Sequence, residues 1–299
     1  MKRETWQAVD WAKLAPLRLR ARLVAEGAYS GMHASPRRGA GVEFGGHRAY
    51  TPGDDLRFID RHALMRHGEL MIREFETETD RDLRLLLDAS PSMAHQSARA
   101  PTSKLGFASL VAAALAKISV DGGDRVGLGW LGGEPARALP AMGGNEAFER
   151  VTSALEETAA AEIGERSLEQ AIGPAERSRR GAVIALFSDL LDLPAQTGER
   201  VAALAARRRV VVVVQVLDPE EIEFPFSGPV RLTALEGSLV VDTDADSVRE
   251  TYLSALAKLQ RDWEQKLSAR GARLVLSSSA EDPVGVVLRI LRAVAGGHA

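Results

Sequence analysis

The feature of this sequence that most constrains its fold is a series of short apolar runs, each the length of a β-strand. Residues 83–87, 182–187 and 210–217 are predominantly apolar. A strand is apolar on both faces when helices cover both faces of its sheet, as they do in parallel sheets. Segments 104–119 and 246–270 carry apolar residues at helical spacing. The alternation predicts an α/β domain with a doubly wound, mostly parallel, Rossmann-like sheet.

The length of 299 residues permits one large domain or a medium domain with a companion. The strand and helix alternation begins at residue 81 and predicts the α/β domain over 81–299. An insert at about 219–244 breaks the rhythm and is expected to add short β segments. Residues 1–80 differ, because a helical stretch is followed by a Gly-rich, charged segment. They predict a smaller, irregular or β-rich amino-terminal lobe.

The composition excludes several classes of function. The 38 basic and 41 acidic side chains leave a net charge of -3, which argues against nucleic acid as a partner. The absence of cysteine excludes disulfides, thiol catalysis and zinc–thiolate sites. No stretch reaches the roughly 18 uncharged apolar residues that span a membrane, so no membrane insertion is expected. A cytoplasmic location is the expectation.

The strongest local signal for chemistry is Asp88-Ala-Ser90-Pro-Ser92, directly after the first predicted strand of the α/β region. Asp189 follows a later predicted strand. Ligands of open parallel sheets bind beyond the carboxyl ends of the strands, near the point where the strand order reverses. Carboxylate and hydroxyl oxygens suit Mg²⁺ or Mn²⁺. The pattern predicts a metal site made by Asp88, Ser90, Ser92 and Asp189, with a partner's acidic side chain completing the coordination.

Two other interpretations of this loop stay open. Asp88 and Ser90 could simply cap the following segment, which would make the protein a metal-free structural adaptor. A strand-end Asp with a metal is also how haloacid dehalogenase-type phosphatases and phosphotransferases begin. Those enzymes use a second Asp two residues later as general acid, and that position is Ser90 here.

Other enzyme signatures are absent from the sequence. Neither a Gly-x-Ser-x-Gly elbow nor a Gly-x-x-x-x-Gly-Lys-Ser/Thr loop occurs. We therefore expect a protein that is not an enzyme, with any ATP hydrolysis confined to a partner.

The amino-terminal segment carries a dense cluster of charges of both signs. Its carboxylates could form a second metal site or a general acid/base pair. Alternatively, the charges neutralise one another around a Pro-Gly-Asp-Asp turn, or line an interface between the lobe and a partner. The members of this charged cluster are Glu43, Arg48, Asp54, Asp55, Arg57 and Asp60.

The strand-end residues are similar to the metal-ion-dependent adhesion site of von Willebrand factor A domains. The pattern of that site is Asp-x-Ser-x-Ser, then a Thr, then an Asp. Asp88, Ser90, Ser92 and Asp189 match four of its five places. The loop expected to carry the Thr runs from 139 to 145 and contains no hydroxyl. Asn145 is the candidate substitute ligand, through its amide oxygen.

The chain also resembles the bacterial domain-of-unknown-function 58 family over most of its length. That resemblance implies a von Willebrand factor A-like domain that works beside a MoxR-type AAA+ ATPase in chaperone-like assembly or activation of client proteins. The residues that carry it are Gly31, His33, Ser35, Gly39, Gly41, Glu43, Phe44, Arg48, Tyr50, Gly53, Asp54, Asp55, Arg57, Ile59, Asp60, Glu74, Phe75 and Glu78, followed by the loop that begins at Asp88 and by Phe187-Ser188-Asp189-Leu190.

Overall fold

The structure is a computed structural model of the chain. The residues it describes are 16–33, 43–49, 71–76, 81–132, 138–159, 165–191, 193, 196–233 and 240–296. They form two compact units, one of residues 1–32 with 81–299 and the other of residues 33–80.

The larger unit is built on a six-stranded sheet. Its strands are β3 (Asp82–Asp88), β4 (Arg125–Leu131), β5 (Leu139–Met142), β6 (Val183–Ser188), β7 (Val210–Leu217) and β10 (Arg273–Ser278). Their spatial order is β10-β7-β6-β3-β4-β5, and all pairs are parallel except β4–β5. This is the 3-2-1-4-5-6 order of doubly wound folds, counted along the six strands. The predicted fold class is confirmed.

Helices cover both faces of this sheet. They are α1 (Leu17–His33), α2 (Lys104–Asp121), α3 (Gly144–Glu156), α4 (Glu165–Glu176), α5 (Thr197–Ala203), α6 (Pro219–Glu223), α7 (Ala245–Ser268) and α8 (Pro283–Gly296). Single 3₁₀ turns lie at Pro91–Ala94 and Ala206–Arg208. None of the helices in the described ranges is long and apolar enough to cross a membrane.

Alternate residues of the strands feed two separate hydrophobic cores. In β7, Val212 and Val214 face the core made with α1, α2, α3 and α8. Val211 and Val213 face the core made with α4, α5 and α7. Because successive side chains of a strand point to opposite faces, a strand buried on both sides is mostly apolar. All eight residues of β7 are buried and seven are apolar, while the eighth, Gln215, is hydrogen-bonded through its side-chain amide.

Helix α1, up to Met32, belongs to the larger unit. Its buried stripe includes Ala21, Val24 and Ala28. The backbone N–H of Leu17 donates to Glu156 of α3 at 2.6 Å. The predicted division at residue 80 grouped this helix with the lobe, but its small and apolar residues at helical spacing match the core of the larger unit.

The smaller unit contains an antiparallel strand pair, β1 (Glu43–Ala49) with β2 (Met71–Glu76). A register shift between Phe44 and Gly46 marks a bulge. Elsewhere, the segment predicted as an insert contains α6 and an antiparallel pair of strands, β8 (Pro229–Thr233) with β9 (Val240–Asp244). Asp244 then caps α7 by accepting from Asp246 N and Ser247 N.

Candidate functional site

The carboxyl ends of two central strands bring the predicted site residues together. In the register of β3 with β6, Leu87 lies opposite Phe187, so Asp88 and Ser188 are the next residues on each strand. The chain runs from β3 outward to β4 in one direction and from β6 outward to β7 and β10 in the other. The site therefore lies at the point where the strand order reverses, where ligands of such sheets bind.

Asp88 is buried and fully hydrogen-bonded. Its Oδ1 accepts from the backbone N–H of Ser90 at 2.9 Å, and its Oδ2 accepts from the Ser188 hydroxyl at 2.5 Å. Burial, together with the nearby charge of Asp189, raises the pKa of Asp88 to about 6, although both hydrogen bonds favour its ionised form. The carboxyl group is thus held in a buried position in which its charge is costly.

Ser90 and Ser92 flank the start of a single 3₁₀ turn. Ser90 has extended backbone angles and Pro91 is the first residue of the turn, a position where proline loses no hydrogen bond. The two hydroxyls, both buried, lie 3.1 Å apart and hydrogen-bond to each other. The turn consequently holds both hydroxyls beside the end of β3.

The loop after β6 is held as tightly and carries backbone strain. Asp189 Oδ1 accepts from the backbone N–H of Leu191 at 3.1 Å, and its carbonyl oxygen accepts from Gln215 Nε2 at 2.9 Å. Leu190 has a φ of 65°, in the left-handed region that non-glycine residues rarely adopt. It is buried, and its N–H donates to the Ser188 hydroxyl at 3.0 Å. Strain of this kind is often found at functional sites.

Two charged residues at this site were missed by the sequence reasoning. Lys104, the first residue of α2, has a fully buried side chain. Its Nζ donates to Asp189 Oδ2 at 2.8 Å and to Glu221 Oε1 at 2.6 Å. Burial opposes the ammonium, but the charges of Asp189 and Glu221 and the hydrogen bonds to both outweigh it and raise the pKa of Lys104.

Glu221 belongs to a capping box at the start of α6. Asp218 is the N-cap, and its N–H donates to Glu221 Oε2 at 2.8 Å. Tyr252 donates to the Glu221 carbonyl at 2.8 Å, and burial with the charges of Glu221 and Asp189 raises its pKa to about 12. The signal that could have found Glu221 is the Asp-Pro-Glu-Glu capping pattern.

The structure places Asn145 far from this site. β5 runs antiparallel to β4 and ends with Met142 opposite Val126, near the start of β4. Asn145, just beyond β5, is therefore at the amino edge of the parallel strands, while Asp88 is at their carboxyl edge. This corrects the expectation of a substitute ligand, which assumed that the loop after 139 returned to the strand ends.

Among the described residues, no contact joins the charged cluster of the amino-terminal segment to the site. Glu43 and Arg48 lie on β1, where only the backbone is described. The other members, Asp54, Asp55, Arg57 and Asp60, lie outside the described residues.

A divalent metal does not fit the arrangement of the predicted ligands. Each carboxylate oxygen of Asp88 and Asp189 already accepts a hydrogen bond, and the donor to Asp189 Oδ2 is the Lys104 ammonium. A cation added beside this ammonium would meet charge repulsion in a buried site. Among the described residues, no group of three or more His, Asp or Glu side chains is arranged to hold a metal ion.

The strand order, the antiparallel strand β5 and the Asp-x-Ser-x-Ser loop at a strand end together define a von Willebrand factor A-like α/β domain. A family model described as a protein of unknown function, DUF58, matches residues 46–274. This match covers more than half of the chain, so the chain belongs to the DUF58 family, as its motifs predicted.

The chain is also similar to several curated proteins and solved structures. The uncharacterized proteins Rv1480 of Mycobacterium tuberculosis and Mb1516 of Mycobacterium bovis are each 28% identical over 294 residues, which is 96% of this chain and 92% of theirs. The conserved hypothetical protein BatB of Bacteroides thetaiotaomicron aligns at a TM-score of 0.48 and 19% identity, over 72% of this chain and 99% of that one. The SpRpn10 VWA domain aligns at a TM-score of 0.41 and 11% identity, over 70% of this chain and 94% of that one.

Proposed function

We propose that this chain is a non-enzymatic protein-binding module of the cytoplasm that engages its partner through the loops at the carboxyl edge of the sheet. In this proposal the partner is a MoxR-type AAA+ ATPase, and the pair assembles or activates client proteins. Membership of the DUF58 family and the resemblance described above support the choice of partner. Because this chain has no phosphate-binding loop in its sequence, ATP hydrolysis belongs to that partner.

The observation that carries the proposal is the construction of the two strand-end loops. Residues 88–92 and 188–191 meet at the switch point, and buried hydrogen bonds hold both in a fixed shape. Leu190 adds a strained backbone that costs of order 1–3 kcal/mol. Loops that are held rigidly at the ligand-binding edge of such a sheet suit recognition, because little order is lost when a partner binds.

The contacts of the hydroxyl groups support a binding role over a catalytic one. A nucleophilic serine is activated by a hydrogen bond to a general base such as histidine. The Ser90 hydroxyl instead pairs with that of Ser92, and the Ser188 hydroxyl donates to Asp88. Asp88 could act as a base toward Ser188, but the Ser188 side chain is completely buried and cannot reach a substrate.

Exposed residues beside the site provide the contact surface in this proposal. Ile222 lies on α6, directly after β7, with 40% of its side chain exposed. Glu223, its neighbour, forms an exposed ion pair with Arg99 of the loop between β3 and α2. An apolar side chain within a rim of charges is typical of a small protein interface.

The test is a binding assay with the purified MoxR-type ATPase encoded in the same genome, read by biolayer interferometry and by the ATPase rate. Ile222→Arg at the carboxyl edge should weaken binding about tenfold or more, which corresponds to about 1.4 kcal/mol. Asn145→Arg, an exposed change at the amino edge, is the matched control and should leave binding unchanged. Absence of binding by the wild-type chain, or equal loss in both variants, would contradict the proposal.

A further inference from the structure

The burial of Lys104 requires an explanation beyond packing. Its side chain is completely buried, and it begins a helix of 18 residues. The amino end of a helix carries partial positive charge and disfavours a cation. Lysine is among the residues least often buried unless it is paired. A cation held in this position must therefore be neutralised by nearby negative charge.

The strand ends supply that negative charge. Asp189, at the end of β6, binds the ammonium at 2.8 Å and is only 1% exposed. Glu221, just after β7, binds it at 2.6 Å. Asp88, at the end of β3, is the third carboxyl group, and its pKa responds to the charge of Asp189. One ammonium thus links the ends of two strands to the start of α2.

A divalent ion in an adhesion site would have a comparable structural task, at the ends of β3 and β6 rather than at those of β6 and β7. It would neutralise the carboxylates of two neighbouring strand ends and tie their loops together. Here Lys104 occupies Asp189 Oδ2, and hydrogen bonds from the protein occupy the remaining oxygens of Asp88 and Asp189. The serine hydroxyls, which would be direct ligands, bind each other.

We propose that the Lys104 ammonium is the resident cation of this site and takes the place of the divalent metal. The loops at the carboxyl edge are then ordered without Mg²⁺ or Mn²⁺. The three carboxyl groups outnumber the one ammonium, so the site keeps no residual positive charge to attract an acidic ligand from a partner. Removing the ammonium would leave a set of hard oxygen donors that suits a divalent cation. The oxygens released in this way are Asp189 Oδ2 and Glu221 Oε1, and they lie beside Asp88, Ser90 and Ser92.

This inference bears on the proposed function at one point, the metal requirement of binding, and its test needs no partner. The full-length protein is titrated with Mn²⁺ by calorimetry and by electron paramagnetic resonance, and its melting temperature is measured in Mg²⁺ and in EDTA. The wild-type protein should show no saturable Mn²⁺ binding and the same melting temperature in both buffers. Saturable binding that is lost in Asp88→Ala would overturn the proposal.

The Lys104→Ala variant tests the replacement itself. It should melt at a lower temperature than the wild type in EDTA, bind Mn²⁺ saturably, and regain part of the lost melting temperature in Mg²⁺. Lys117→Ala is the matched control, because Lys117 is on the same helix but pairs with Asp121 at the other end; it should show no metal response. A folded Lys104→Ala variant with no metal response would overturn the proposal.

Lys104→Ser is the second variant, for use where Lys104→Ala does not fold. Unlike alanine, serine keeps a polar group at this position and adds a hydroxyl ligand. We therefore expect the same metal response from Lys104→Ser. If neither variant folds in EDTA, refolding in the presence of Mn²⁺ supports the proposal, and failure to refold with Mn²⁺ overturns it. Partner binding can fail in every one of these variants without altering the metal result, which keeps this test separate from that of the proposed function.

Discussion

The ion pair between Lys104 and Asp189 should show strong energetic coupling, because both side chains are almost fully buried, at 0% and 1% exposure. Lys104→Met keeps the length of the side chain and removes its charge, leaving Asp189 without its counter-ion. Breaking a buried pair from one side in this way costs about 3–5 kcal/mol. Asp189→Asn should cost less, about 1–3 kcal/mol, since Lys104 keeps its 2.6 Å contact with Glu221.

The double variant Lys104→Met, Asp189→Asn restores the local charge balance. We expect it to be more stable than Lys104→Met alone by about 1–3 kcal/mol, measured as the free energy of unfolding in urea. The exposed pair Arg231–Asp242 provides a control cycle, with side chains 71% and 67% exposed, and its coupling should be much weaker than that of the buried pair. If the Lys104 and Asp189 changes were additive to within about 0.5 kcal/mol, the two side chains would not be coupled.

Three further predictions concern Asp88, Leu190 and Asp244. Since the pKa of Asp88 is raised from 3.8 to about 6, its stabilising contribution is complete below pH 3.8 and is lost as the pH rises through about 6. The free energy of unfolding of Asp88→Asn should thus increase relative to that of the wild type by about 3 kcal/mol as the pH rises from below 3.8 to above about 6. About half of this increase should be seen between about pH 5 and pH 7.5 in urea unfolding. A difference between the two proteins that is independent of pH would contradict the prediction. Leu190→Gly should be no less stable than Leu190→Ala, because glycine adopts the left-handed backbone conformation without strain, which offsets its usual disadvantage of about 1 kcal/mol. Thermal unfolding of both variants checks this order. Asp244→Ala should cost about 1 kcal/mol of unfolding free energy through loss of the cap of α7, and a change below about 0.3 kcal/mol would show that the cap is not used.

The arrangement of the sheet follows from local patterns in the sequence. Apolar strand-length runs such as 210–217 indicate burial on both faces, and burial on both faces requires helices between parallel strands. Parallel strands end at a common edge, so the convergence of Asp88 with the residues after β6 is a consequence of the fold once β3 and β6 pair.

The chemistry of the site is less accessible from the sequence, because it depends on residues distant in the chain. Lys104 is 85 positions from Asp189 and 117 positions from Glu221 in the sequence. No local pattern marks a lysine at a helix start as buried, since the helix dipole disfavours it there. Asn145 was misplaced for a related reason, because the direction of the short strand β5 decides at which edge of the sheet it lies.

A crystal structure of the full chain grown with Mn²⁺, with anomalous diffraction data collected to locate the ion, tests whether Lys104 replaces the metal. Lys104 Nζ should bridge Asp189 and Glu221, with no anomalous peak among Asp88, Ser90 and Ser92. An ordered Mn²⁺ bound by those serine hydroxyls, with Lys104 displaced from Asp189, would contradict this replacement.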